Sequence, residues 1–508
     1  MEQKEYKEAF VSNLNGTTLT ENSLGLISCA LCVVYHGLVL IYFFGGSTES
    51  PWKKFVLIDF VVLVAPLVFF CTTLSDVLHW VVLVLAVVLV ISVFQIYCQR
   101  KKSAHQHLKE VIAGFLETSL DMNHIPFVTL FRVYVNVATS ICILAVDFPI
   151  FPRRLAKAET YGTGPMDFGT AGFIFANALV SPEARQKNKT ASHSKFYSAV
   201  KQIRLVSPLV FLGLTRLIIV KTMNYHEHIS EYGLHWNFFF TLAVVRILSS
   251  FLLILCPVRS SWIVSCGIGI CYQLLLETTN LKHFILHGSD GKDTRDGLIN
   301  ANREGLFSMF GYVSIYMAGV QAGTFIMKKR MLVIEWIKVQ GCLAMSTFIL
   351  LLLLSVCEVL TEPVSRRMAN LSYVIWTVEH SLLFINMFML ADFILVFVKF
   401  LSGMSNVPCS WNILPDSAQR RKEKTLLKNN ALEKVDKNKM RFCIIDAISR
   451  NQLLFFLQSN VLTGLVNLTV DTLHSNTFIS LFVLLVYVFC NCIFVYILHI
   501  NDITLKFW

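Results

Sequence analysis

Apolar runs of roughly 20 residues recur from one end of this chain to the other, and they constrain its fold more than any other feature. At 1.5 Å per helical residue, about 20 residues cross a hydrocarbon layer of roughly 30 Å. The segments are Leu24–Phe44, Phe55–Thr72, Val77–Tyr97, Phe127–Val146, Phe168–Val180, Val206–Val220, Trp236–Cys256, Trp262–Leu276, Gly305–Met327, Trp336–Cys357, Ser372–Phe400, Gln452–Val470 and Thr477–Ile500. They predict an all-α fold, a polytopic integral membrane protein with about 13 transmembrane helices. The fifth, sixth and eighth are short, and the eleventh is long enough to tilt or break. Only 15% of the residues are charged, where soluble domains carry about a quarter.

The net charge of +11 invites a nucleic-acid reading that its placement removes. Lys and Arg gather in the loops after odd-numbered spans, at Lys53-Lys54, Arg100-Lys101-Lys102, Lys187, Lys189, Lys201, Arg204, Lys328-Lys329-Arg330 and the block Arg420–Arg450. These loops hold more than twice the cations of the others. Such a bias marks cytosolic loops, so the N-terminus is expected outside and the C-terminus in the cytosol. The organisation that follows is a non-cytosolic tail over 1–23 and helices 1–11 over 24–402. A cytosolic basic linker over 403–450 and helices 12–13 with a short tail over 451–508 complete it. Met1–Ser23 lacks the apolar core of a cleavable signal, which leaves the first run as the targeting element. Most of the 14 Cys fall inside apolar runs, and Cys29 and Cys32 read as small packing residues, not as a zinc or redox pair.

Chemistry is expected in the loop after the fourth span. From Asp147 to Asp167 it holds Arg153, Arg154, Lys157 and Glu159, stiffened by Pro149 and Pro152 and loosened by Gly162 and Gly164. Cations on the side that orientation disfavours point to a phosphate or carboxylate partner. The prolines forbid a continuous helix, so the loop can fold back and bring Asp147 to Lys157. A carboxylate beside a hydroxyl substrate can act as general base, and an ammonium can steady an oxyanion. The plain alternative is a structural salt bridge.

His226-Glu227-His228, Glu231 and His235 fit no zinc template and read as an interfacial loop before Trp236. Asn300, Asn302, Arg303 and Glu304 suit hydrogen bonding to a sugar or inositol ring, or a helix start capped by Asn302. Asp59, Arg132, Arg216, Arg246, Glu379 and Asp392 lie inside spans and are expected to face the bundle interior and find partners. Asp471 and His474 add charge on the non-cytosolic side. Sequons stand at Asn15 and, within a span, at Asn467.

Taken together, Ala145–Gly169, Glu231–Thr241, Asn300–Gly305, Ser365–Leu371 and Val470–Ser475 resemble the glycosylphosphatidylinositol (GPI) inositol acyltransferase family, and the likeness runs from end to end. The resemblance implies an endoplasmic-reticulum enzyme of GPI-anchor biosynthesis. It would move a fatty acyl chain, usually palmitoyl, from acyl-CoA to the inositol 2-hydroxyl of glucosaminyl-phosphatidylinositol, with no cofactor and no metal. The family's catalytic pair falls on Asp147 and Lys157, in loops that become lumenal. Arg153, Arg154, Asp167, His235, Asn300, Asn302, Arg303, Asp471 and His474 are then substrate-binding candidates, with the base left open between Asp147 and Asp167. Cytosolic Lys187, Lys189, Lys201 and Arg204 are candidates for the CoA phosphates. A glycolipid transporter or scramblase, or a scaffold without catalysis, fits a many-span helical chain with buried charges on physical grounds alone.

Overall fold

The computed structural model describes residues 9–44, 52–104, 108–121, 124–185, 195–222, 229–291, 293–402, 407, 409–414 and 443–505. Its principal helices are α1 (Leu19–Phe44), α2 (Trp52–Asp59, a π-turn Phe60–Val64 and Ala65–Phe70), α3 (Leu78–Ala104), α4 (Pro126–Ala145), α5 (Pro165–Leu179), α6 (Lys195–Thr222) and α7 (Phe238–Leu255). There follow α8 (Ser261–Thr278), α9 (Met309–Ile326), α10 (Val333–Leu360), α11 (Leu371–Ser402), α12 (Gln452–Thr469) and α13 (Thr477–Ile500). Among the described residues, strand-like pairing is confined to isolated bridges, Thr17 to Thr163, Ser119 to Leu332 and Leu120 to Ile413.

Among the described residues ten helices are long and apolar enough to cross a membrane. Three of the expected segments fall short of that measure: α2 is in pieces, α5 has 15 residues, and α12 carries Gln452, Gln458, Asn460 and Asn467. Only 17% of the α3 window and 11% of the α6 window are buried, although both are strongly apolar. Trp80, Val84, Ile91 and Phe94 stand exposed along α3. An apolar helix surface of that extent is stable against lipid, not water.

Local chemistry sets several helix starts. Pro126 and Pro165 stand in the first turns of α4 and α5, where the missing N–H costs nothing. Asn237 caps α7 by accepting from Phe239 and Phe240 N–H at 3.0 and 3.2 Å, and its amide donates to Gly213 of α6 at 2.9 Å. Asn476 caps α13 in the same way through Ile479.

The buried ionisable groups divide. Asp59 accepts from His36 at 2.6 Å and from the Ile444 N–H at 2.9 Å; the Lys399 ammonium caps the carbonyls of Val407 and Trp411, while both oxygens of Asp392 are buried with no hydrogen-bond partner among the described residues. Among the described residues Arg132, Arg246 and Glu379, expected to find partners, form no ion pair, and Arg216, expected to face the interior, is exposed on α6 and acts on Glu231 only from a distance. The segment read as the linker 403–450 is narrower than its composition implies. Trp411 and the short helix Ile444–Arg450 are packed into the core, while 415–442 lie outside the described residues.

Candidate active site

The loop after α4 is built around Arg153. Its guanidinium donates to the carbonyls of Val146 at 2.9 Å, Phe148 at 2.9 Å and Phe151 at 2.8 Å, and it lies 4.1 Å from the Phe10 ring centre. Phe148 and Phe151 are buried beneath it. One planar fork thus satisfies three carbonyls of a turn that Pro149 and Pro152 keep out of helix. Burial pulls the guanidinium down to about 10, against the opposing charge of Asp147. Arg154 points elsewhere, to Glu21 at 3.0 Å and Asp76 at 2.5 Å. Gly162 sits at φ +139°, where a Cβ would stand 2.1 Å from the Asn15 carbonyl oxygen. The N-terminal segment is therefore seated directly on this loop.

Asp147 is 8% exposed at the loop's start. Its Oδ2 accepts from Asn467 Nδ2 of α12 at 2.7 Å, and Asn467 Oδ1 in turn accepts from Thr472 at 3.4 Å. The exposed Asp471–His474 pair, 2.9 Å apart, sits on that same turn.

Lys157 does not pair with Asp147. Its ammonium meets Glu231 at 2.6 Å, and Glu231 faces Arg366 at 3.8 Å. Arg366 also donates to Asp167 at 2.9 Å. Burial pushes the Glu231 carboxyl up, yet Lys157 and Arg366 outweigh it and hold the group down at about 2. Burial likewise opposes the charge on Arg366, but Glu231 and Asp167 raise it above its ordinary value. Asp167 is fully enclosed, its oxygens taken by the Ala158 N–H and Arg366. The fold-back that the prolines allow is real, but it delivers Lys157 to the 229–237 loop.

The sequence pattern of the GWT1 family matches residues 3–498. The chain belongs to the GWT1 family. It is 45% identical over 513 residues to the glucosaminyl-phosphatidylinositol-acyltransferase PIGW of Bos taurus, covering 100% of both chains. The Homo sapiens protein of that name is 45% identical over 512 residues with the same coverage. GPI-anchored wall transfer protein 1 of Aspergillus fumigatus is 32% identical over 513 residues, 95% of each chain.

In this GWT1 chain the remaining candidates separate by what they touch. Asn300 and Arg303 serve the fold: Arg303 is fully buried and donates to Ile285 and Thr294 carbonyls and to the Asn300 amide oxygen. Glu304 beside them holds Arg295 at 2.7 Å and Arg367 at 2.9 Å. Asn302 caps no helix; its amide oxygen accepts the His235 N–H at 2.8 Å, because Gly233 turns the preceding loop against it. His235 itself is exposed. Of the expected CoA contacts, Arg204 is exposed on α6, and the side chain of Lys201 and all of Lys187 and Lys189 lie outside the described residues, as do His226, Glu227 and His228.

Three site residues escaped the pattern. Glu231 stood among apparent metal ligands, Asn467 stood in a sequon, and Arg366 stood in a basic stretch with no partner in sight. Each acts across more than 70 positions of sequence, which spacing does not encode.

Proposed function

We propose that this chain is an acyl-CoA-dependent O-acyltransferase of GPI-anchor biosynthesis in the endoplasmic-reticulum membrane. It moves a fatty acyl group, palmitoyl in the family pattern, to the inositol 2-hydroxyl of glucosaminyl-phosphatidylinositol. The full-length likeness to relatives named for acylating that lipid supports the substrate. The donor, the lumenal placement of the loop face and the cytosolic C-terminus rest on the resemblance and the charge bias.

The observation that carries the reaction is Asp147, a nearly buried carboxylate at the start of the loop with one oxygen held by Asn467. An inositol hydroxyl is a weak nucleophile at neutral pH. Asp147 takes its proton as the oxygen attacks the thioester carbonyl, the C–S bond then breaks, and the proton leaves with the CoA thiol. Asp167 is the less accessible carboxylate: burial raises it to about 6, but both its oxygens are enclosed and bonded. Lys157 has three N–H donors, and its side chain is 34% exposed with Glu231 on one side. The other donors are available to the oxyanion. His235, Asp471 and His474, all exposed near this face, are the contacts left for the acceptor head group.

Purified protein given labelled acyl-CoA and glucosaminyl-phosphatidylinositol should yield an acylated lipid and free CoA. A transporter, scramblase or scaffold would leave both substrates chemically unchanged.

A further inference from the structure

We propose that Tyr487 of α13 is a positioning residue for Asp147: it locks the register of α12 on α4, and that register sets Asn467 against the carboxylate. The inference rests on the acyltransferase reading above and gives that reaction a determinant of turnover buried inside the helix bundle.

The sequence of α12 prepares this role. Ser459, Thr463 and Asn467 recur at intervals of four, which places them on one helix face. That face is turned to α4 and α13. At the start of α12, Asn136 Nδ2 of α4 donates to the Gln452 carbonyl at 2.8 Å. Further along, Ser140 Oγ donates to Ser459 Oγ at 3.1 Å. At the loop face, Asn467 Nδ2 donates to Asp147 Oδ2 at 2.7 Å. The partners advance in the same direction along both helices, so α4 and α12 run parallel and the three contacts belong to one register.

Polar contacts decide register in such a bundle. Between helices in lipid there is little hydrophobic drive toward one alignment, and apolar packing tolerates a slide that a hydrogen bond does not. Ser140, Ser459 and Tyr487 are at most 3% exposed, so water does not replace a lost partner there.

Tyr487 makes the firmest of these ties. Its hydroxyl lies 2.9 Å from the Ser140 carbonyl oxygen of α4 and 3.2 Å from the Ser459 carbonyl oxygen of α12, and it accepts from Thr463 Oγ1 at 3.3 Å. A carbonyl has two lone pairs, and the helix uses one of them. Both oxygens are therefore able to accept. Neither can rotate away as a side chain would, so the hydroxyl ties one helix backbone to the other.

The lever from Tyr487 to the carboxylate is short. Asp147 stands seven residues past Ser140, about 10 Å along α4, and its N–H still bonds to the Leu144 carbonyl at 3.2 Å. Asn467 stands eight residues past Ser459 within the same helix, about 12 Å away. A register shift of one residue moves Asn467 about 1.5 Å along the axis and turns it by about 100°. That takes its amide off Asp147.

The test compares Tyr487→Phe, Asn467→Leu and the double variant in full-length protein, reading kcat, both KM values and the pH–rate profile. Phe keeps the ring and removes the hydroxyl alone. Tyr487→Phe should lower kcat about tenfold, the low end for losing a hydrogen bond to a charged group. Both KM values should stay unchanged, and the pH–rate profile should move in the direction that Asn467→Leu moves it. The double variant should be no slower than Asn467→Leu, because the tie then has nothing left to position. Ser459→Ala removes the side-chain contact to Ser140 and should act in the same way but more weakly; it carries the test if Tyr487→Phe does not fold. Unchanged kcat in the folded variants would overturn the positioning role. A fall in kcat by the same factor with and without Asn467 would overturn it too, leaving Tyr487 a packing residue. In both cases the wild-type protein still acylates the lipid. Wild-type protein that forms no acylated product would instead remove the acyltransferase reading, and this role with it.

Discussion

Glu231→Gln isolates one carboxylate charge on which the geometry around Lys157 depends. Lys157 at 2.6 Å and Arg366 at 3.8 Å hold the Glu231 carboxyl at about 2, against its ordinary 4.5. At 1.36 kcal/mol per unit that difference is about 3 kcal/mol, an upper value because Lys157 is in contact with solvent. Gln mimics the protonated carboxyl, so at pH 7 the variant should unfold about 3 kcal/mol more easily than wild type. A depressed carboxyl contributes its full stability above 4.5 and loses it as pH falls toward 2. The gap between the two proteins should therefore be flat from pH 7 to 5 and shrink to about 1.4 kcal/mol at pH 3. Thermal unfolding of both proteins in one detergent across that range measures it. In acyl transfer at pH 7, folded Glu231→Gln should lose turnover with little change in either KM, because Lys157 loses the anion that orients it. A stability gap that is absent at pH 7, or constant down to pH 3, refutes the charge argument. Full turnover in the variant refutes the positioning role.

Asp147→Asn should keep expression and fold while turnover falls at least about 10²; Lys157→Ala should be comparably severe, and the double variant little worse than either. Normal acylation by well-folded Asp147→Asn would leave that carboxylate a structural role only. Asn467→Leu should lower turnover and move the pH–rate profile, since it removes the hydrogen bond to Asp147 Oδ2, whereas a merely structural Asn467 would lower stability without moving the profile. Protease treatment of sealed microsomes should remove a C-terminal tag and spare an N-terminal one, and the reverse pattern would invert the loop face.

The helical spans were legible because a bilayer imposes one length and one polarity on each of them. The loop was legible for the opposite reason: charges and prolines between two apolar runs have no packing role in lipid. What the loop touches was not legible. Lys157 and Glu231 are 74 positions apart and Asp147 and Asn467 are 320. Such pairs are fixed by how helices stack, not by local period. Asn302 shows the same limit at short range, since its place before Arg303 suits a cap while Gly233 and His235 claim its amide.

Polar groups on the loop face sort by whether the fold already satisfies them. Arg153 closes its own turn and Arg303 its own pocket, each with several acceptors in reach. Substitution there should act on stability first. Asp147 and Lys157 differ in taking their direction from another element, Asp147 from Asn467 and the half-exposed Lys157 from Glu231. A base and an oxyanion donor both need that fixed direction from the protein. The two are held by separate networks, Asn467 from α12 for one and Glu231 with Arg366 for the other. Their spacing is therefore set by how α12 packs beside α4 and by how the 229–237 loop sits on the segment 301–307 ahead of α9, so a substrate that bridges them reads the packing of the bundle.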